Sequence, residues 1–170
     1  MKKLKSLFFT IFLGILPKRK PKGEYKMKEQ DTIRLLRECD AGVKMGVDSI
    51  NDVLDNVRSE ELKQFLIACK NKHEILNNEV QEELRRYEDE GKDPNPMAKG
   101  MSWIKTNVML AVDESDSRVA DLITDGCNMG VKSLNRYLNQ HTDASEKAKE
   151  LTKQLIDLEE KLAIDIRRFL

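Results

Sequence analysis

Metal binding and proton transfer in this chain would fall to few residues. There are two histidines, His73 and His141, and three cysteines, Cys39, Cys69 and Cys127. Di-iron carboxylate bundles place a Glu on each of two helices and a Glu-x-x-His on each of the other two. Carboxylates and imidazoles bind and bridge iron, and the i, i+3 spacing turns both ligands inward. Here the residue three before His73 is Lys70, and no histidine follows His141. The full ligand set is missing, which argues against ferroxidase or oxygenase chemistry. A smaller constellation survives. Folding each half of the chain about its polar break, near positions 58 and 142, sets His73 level with Gly42 and Val43. It sets Glu159 level with Gly126 and Cys127. Asp40 and Asp125 fall within one turn of that level. His73, Glu159, Asp40 and Asp125 are thus candidate ligands of a single divalent ion. Direct pairing of His73 with Glu159 explains both without metal, because a buried charge needs a partner.

Other chemistry finds little support. There is no CxxC and no Cys/His cluster, so a zinc site is not expected, and the cysteines read as buried thiols of a reducing compartment. No Gly-rich phosphate loop follows a strand, and no Ser/His/Asp order stands out. His141 falls in a turn between helices. The methionines are spread at core spacing and read as gap-fillers rather than as a ligand groove. No catalytic residue and no cofactor are expected.

The elements that position these residues come from an internal repeat. Met45-Gly46-Val47-Asp48-Ser49-Ile50-Asn51 returns 84 positions later as Met129-Gly130-Val131-Lys132-Ser133-Leu134-Asn135. Each copy has a glycine four residues upstream, Gly42 and Gly126. Apolar residues at three- and four-residue steps predict helices over about 31–57, 59–88, 115–139 and 145–169. Asp31 or Thr32 can cap the first helix and Ser59 the second, while the third and fourth begin at about Ser115 and Ser145. The two-residue break after the first helix makes it antiparallel to the second. Asp93-Pro94-Asn95-Pro96 breaks the chain again. Met97, Met101, Ile104, Val108 and Ala111, with Trp103, then form a crossover helix over about 96–111. So long a connection allows the second and third helices to lie parallel. The expectation is an all-α, ferritin-like four-helix bundle of two tandem hairpins, about 31–88 and 115–169, within a domain spanning 29–170. Each helical glycine costs about 1 kcal/mol relative to alanine. Close approach of the first and third helices at Gly42, Gly46, Gly126 and Gly130 is the favoured compensation. A cavity or an oligomer contact at those faces is the alternative.

Charge is uneven along the chain. Residues 1–28 hold nine Lys/Arg against one Glu, net +8, and the remainder holds 21 basic against 29 acidic residues, net −8. An acidic body of this kind repels nucleic acid. The leader, MKKLKSLFFTIFLGIL followed by PKRKPK, has an apolar run of ten residues, where a spanning helix needs about 20. It meets Pro17-Lys18-Arg19-Lys20 instead of small residues at a cleavage site. As a helix it gathers Leu4, Leu7, Phe8, Ile11, Phe12 and Ile15 on one broad face. Residues 1–22 are therefore expected to lie on an anionic membrane surface, each flanking Lys/Arg adding about 1 kcal/mol. That implies a cytoplasmic protein, peripheral at the inner face of the cell membrane. A soluble cytoplasmic protein beginning at Met27, and an uncleaved secretion signal, are the alternatives.

The layout resembles a bacterial family of ferritin-like four-helix bundles known chiefly as a domain of unknown function. The residues carrying the resemblance are the glycine-bearing first helix, Gly100-Met101-Ser102-Trp103-Ile104-Lys105 in the crossover, and Asp125-Gly126 in the third helix. It extends over about residues 30–170. The family often has an aromatic residue after the second glycine of the first helix, where this chain has Val47. The resemblance implies the fold and no established activity. The functional expectation is a non-enzymatic bundle acting through protein contacts in envelope or stress physiology, its protein partner unknown. A metal-binding or redox bundle and a self-associating coat or scaffold, a homo-oligomer, are the alternatives.

Overall fold

The computed structural model describes residues 22–94 and 115–170, together with Leu110 and Asp113. The expected crossover helix and the membrane-facing leader residues Leu4, Leu7, Phe8, Ile11, Phe12 and Ile15 lie outside the described residues. Within them the chain forms four long α-helices: α1 (Lys22–Leu54), α2 (Glu60–Arg86), α3 (Asp116–Gln140) and α4 (Glu146–Asp165). A 3-10 turn, Ile166–Phe169, follows. No strand occurs among the described residues.

The expected cap at Ser59 forms, and the serines at the starts of α3 and α4 cap as well. Ser59, Ser115 and Ser145 accept hydrogen bonds from the backbone N–H groups of Leu62, Arg118 and Ala148. Each serves an amide that the first helical turn leaves without a partner. The start of α1 differs from expectation. The helix begins at Lys22 and runs through Asp31 and Thr32, because Lys22–Gln30 contains no proline to stop it. Thr32 instead donates to the Lys28 carbonyl at 2.7 Å and accepts from the Ser145 N–H at 2.8 Å.

That last bond sets the topology. It brings the N-terminal part of α1 beside the start of α4, and His141 Nδ1 lies 3.4 Å from Asp31 Oδ1 at the same end. At the other end, Asp116 at the start of α3 accepts from the N–H groups of Arg58 and Ser59, at 2.8 and 2.9 Å. Thus α1 runs antiparallel to α2 and α3, and α2 runs parallel to α3. The connection from α2 must travel the length of the bundle before α3 begins. Residues 87–94 start it. Glu88 and Gly91 turn at positive φ, 55° and 85°, and the segment is fastened to α1. Arg37 grips Asp89 with two bonds of 2.9 and 2.6 Å, and Lys92 reaches Glu38 at 2.6 Å.

The buried apolar residues form two clusters. One holds Ile50, Val53, Leu62, Leu66, Val119, Ile123, Leu162 and Ile166, with Leu110 against them. The other holds Leu35, Leu36, Cys39, Val43, Leu76, Val80, Leu84, Leu151 and Leu155. Along every helix a gap separates the two sets. On α2 it falls between Cys69 and Leu76, and on α4 between Ile156 and Leu162. His73 and Glu159 sit in that gap, with Gly46 and Gly130 on the facing helices. A polar layer thus crosses the middle of the bundle.

Candidate functional site

The centre of that layer is His73, four residues after Cys69 on α2 and fully buried. Its Nδ1 lies 2.9 Å from the Cys69 carbonyl oxygen. A carbonyl only accepts, so Nδ1 carries the hydrogen and Nε2 faces α4. There it meets Glu159 Oε1 at 3.2 Å, and Glu159 is itself only 6% exposed. Burial lowers the His73 pKa, but the hydrogen bond and charge of Glu159, with the Cys69 carbonyl, outweigh it and raise the pKa above its ordinary value. The facing carboxylate thus favours the protonated form of the imidazole.

Cys127 joins them from α3. Its thiol is driven strongly upward, first by burial and then by the charge of the nearby Glu159 carboxylate and hydrogen bonding to it. Burial pushes Cys39 up to about 12, with a Thr152 hydrogen bond opposing, and raises Cys69 as well. All three cysteines are buried and free. Thiols so shifted are held in their unreactive form.

The glycines explain how this layer fits. A Cβ on Gly46 would stand 2.8 Å from His73 Cδ2, 2.9 Å from Nε2 and 3.2 Å from Glu159 Oε1. Gly46 is therefore the space the imidazole occupies. One turn away, a Cβ on Gly42 would meet Leu155 at 3.2 Å and Leu134 at 3.5 Å. On α3, a Cβ on Gly130 would find only Glu159, at 3.7 Å and beyond, and one on Gly126 would find nothing within 4 Å. This corrects one expectation. His73 stands opposite Gly46 rather than Gly42, about one turn further along, because folding the chain about its break ignores the stagger between packed helices. At these four glycines the room left by the missing Cβ faces side chains or open space. Their nearest neighbours are side chains, most of them from α2 and α4, and a cleft of about 380 Å³ remains between α1 and α3.

That cleft has α1 and α3 for walls and α2 and α4 for a floor. Gly42, Met45 and Gly46 line it from α1, and Gly126, Met129 and Gly130 from α3. His73, Cys127 and Glu159 reach it from below, with Glu38, Lys92 and Pro94 at one end. Met129 is 70% exposed, so the cleft reaches the surface.

The four candidate metal ligands do not converge. His73 and Glu159 meet. Asp40 is buried elsewhere, accepting from Gln81 Nε2 at 2.6 Å and the Lys92 N–H at 2.8 Å, with Lys44 Nζ at 3.0 Å. Asp125 lies exposed on α3. Among the described residues, no group of three or more His, Cys, Asp or Glu side chains is disposed to hold a metal ion. Asp40 is a fastening for the linker, and its carboxylate stands where a Cβ on Gly91 would be. Sequence reading missed this use of Asp40, since nothing local to it announces Lys92 or Gln81. It also missed the bond between Cys127 and Glu159, although Cys127 lies on the inward stripe directly after Gly126. Comparison of the chain with models of known families, curated proteins and solved structures finds no match.

Proposed function

We propose that this chain is a non-enzymatic binding bundle of the ferritin-like kind, working through contacts made in the cleft between α1 and α3. The observation that carries the reading is the cleft itself, about 380 Å³, within the range of roughly 300–1,000 Å³ typical of small-molecule sites. The groups on its floor favour binding over catalysis. His73 is closed on Cys69 and Glu159, and the thiols are held protonated, so neither an activated nucleophile nor a free base faces the cleft. No helix among the described residues is long and apolar enough to cross a membrane. The basic, apolar leader supports attachment of residues 1–22 to the anionic inner face of the cell membrane.

Two measurements test this. Native mass spectrometry of the full chain purified from its host should show added mass from a small molecule or a protein partner. Gly130→Leu, which fills the cleft above Glu159, should remove it. Equal spectra for the two chains would end the binding reading. The full chain should float with vesicles containing anionic lipid, and deletion of residues 2–22 should abolish flotation. Unchanged flotation would remove the membrane reading.

A second reading has one observation in its favour. The Nδ1–H bond to the Cys69 carbonyl leaves Nε2 directed at Glu159, the tautomer a metal-bound histidine adopts. A single divalent ion replacing the proton between Nε2 and Glu159 is the finer form of this reading. Elemental analysis of the full chain, of His73→Ala and of Glu159→Ala decides it. No loss of bound metal in the variants would dismiss it.

A further inference from the structure

We propose that the cleft between α1 and α3 is a slot for a planar aromatic molecule whose edge carries a hydrogen-bond donor or a positive charge, set against Glu159. This rests on the binding reading above and names the class of ligand.

Shape comes first. The two walls run antiparallel, and each presents glycines one turn apart, Gly42 and Gly46 against Gly126 and Gly130. Without Cβ atoms a helix face is a shallow surface of backbone. The bare wall is that of α3, at Gly126 and Gly130, and it faces α1 across the gap as one side of a slot between two helices. The chain keeps that space at a cost of about 1 kcal/mol of helix stability per glycine. On α1 that cost is explained by side chains, His73 at Gly46 and Leu155 at Gly42, whereas Gly126 and Gly130 on α3 make room for no crowded neighbour. At Gly126, where a Cβ would meet nothing, the fold gains nothing from the missing methyl.

The floor then selects the edge. Glu159 is nine-tenths buried, yet it lines the cleft. A carboxylate has about four acceptor positions. His73 occupies one at 3.2 Å, which leaves acceptor capacity toward the slot. Glu38 lines it too, paired with Lys92. The acceptor positions that Glu159 has left match a donor or a cation, and they offer an anion nothing. The remaining lining suits an aromatic ring. Met45 and Met129 bring thioethers, which favour ring edges, and Tyr137 brings a ring of its own. The ligand also gives the 70% exposed Met129 something to cover.

The test uses three probes on the full chain: proflavine, planar and cationic; anthraquinone-2-sulfonate, planar and anionic; and 1-adamantylamine, cationic but globular. Titration calorimetry should give saturable one-to-one binding of proflavine, with the other two at least tenfold weaker. Gly130→Leu should weaken proflavine at least tenfold while its melting temperature does not fall. Gly126→Leu, at the mouth, should also weaken it. The inference is overturned if proflavine does not bind, if Gly130→Leu binds it as well as the native chain, or if adamantylamine or the sulfonate matches it. Should proflavine fail while Gly130→Leu still strips a co-purifying ligand in native mass spectrometry, the binding reading stands and the planar ligand falls. Should both fail, both fall.

Discussion

Gly46 and Gly130 occupy the same place in the repeat, and the structure predicts opposite outcomes when each is changed to alanine. In a helix interior, glycine to alanine gains about 0.8–1 kcal/mol from propensity alone. At Gly130 nothing offsets it. The new Cβ would rest 3.7 Å from Glu159 Cδ, an ordinary contact, so Gly130→Ala should stabilise the bundle by about 0.5–1 kcal/mol. At Gly46 the new Cβ would come within 2.8 Å of His73 Cδ2 and 2.9 Å of Nε2. The ring cannot retreat, because it is fully buried and held on one side by the Cys69 carbonyl and on the other by Glu159. Overpacking of that kind costs about 1–3 kcal/mol. Stretching the bond to Glu159 adds about 1–3 kcal/mol. After the propensity gain, Gly46→Ala should lose about 1–5 kcal/mol. For a domain of this size 1 kcal/mol moves the melting temperature by about 2–4 °C. Circular dichroism at 222 nm during heating, and urea midpoints at constant m, measure both variants. A Gly46→Ala protein as stable as the native one would refute the assignment of Gly46 as the imidazole's space. A fall in stability for Gly130→Ala would refute the open cleft.

Three further outcomes follow from the same geometry. His73→Ala should cost about 3–5 kcal/mol by stranding a buried carboxylate, whereas His73→Leu combined with Glu159→Leu should cost much less; denaturant unfolding of both separates a charge effect from a packing effect. The raised pKa of His73, against burial and through the facing Glu159, with Cys69 and Cys127 beside them, makes its contribution to stability complete below the unfolded value near 6.5. That contribution is lost as pH rises through the folded value, so the urea midpoint should fall from pH 6 to pH 9 in the native chain and less so in the double-leucine variant. Asp40→Ala should cost about 2–4 kcal/mol by leaving the Lys92 N–H and Gln81 without their acceptor, and hydrogen exchange at Lys92 should accelerate ahead of exchange in the core of α2.

Periodicity and capping were enough for the helices. Ser59 caps where expected, and Ser115 and Ser145 cap the helices whose starts they marked, because a hydroxyl serving the amide three residues on is a local bond that needs no partner helix. The inward stripe of α2, from Leu62 through His73 to Leu84, is buried as its spacing requires. Glu159 rather than Leu158 turns inward. Where caps and tertiary bonds competed, sequence reading failed. Asp31 and Thr32 have cap chemistry but lie inside α1, and Thr32 spends its hydroxyl on Ser145, 113 residues away.

From sequence alone came four amphipathic helices, two hairpins and a repeat that marks equivalent glycines, since each depends on contacts within a few residues or on copying. Tertiary structure decided how far each helix slides along its neighbour. That slide puts His73 against Gly46, removes Asp40 to the linker, delivers Cys127 to Glu159 and leaves a cleft beside Gly130. A shift of one turn, about 5.4 Å, leaves every apolar stripe still buried. The hydrophobic pattern therefore does not select among such registers, and the polar pair and its glycine do.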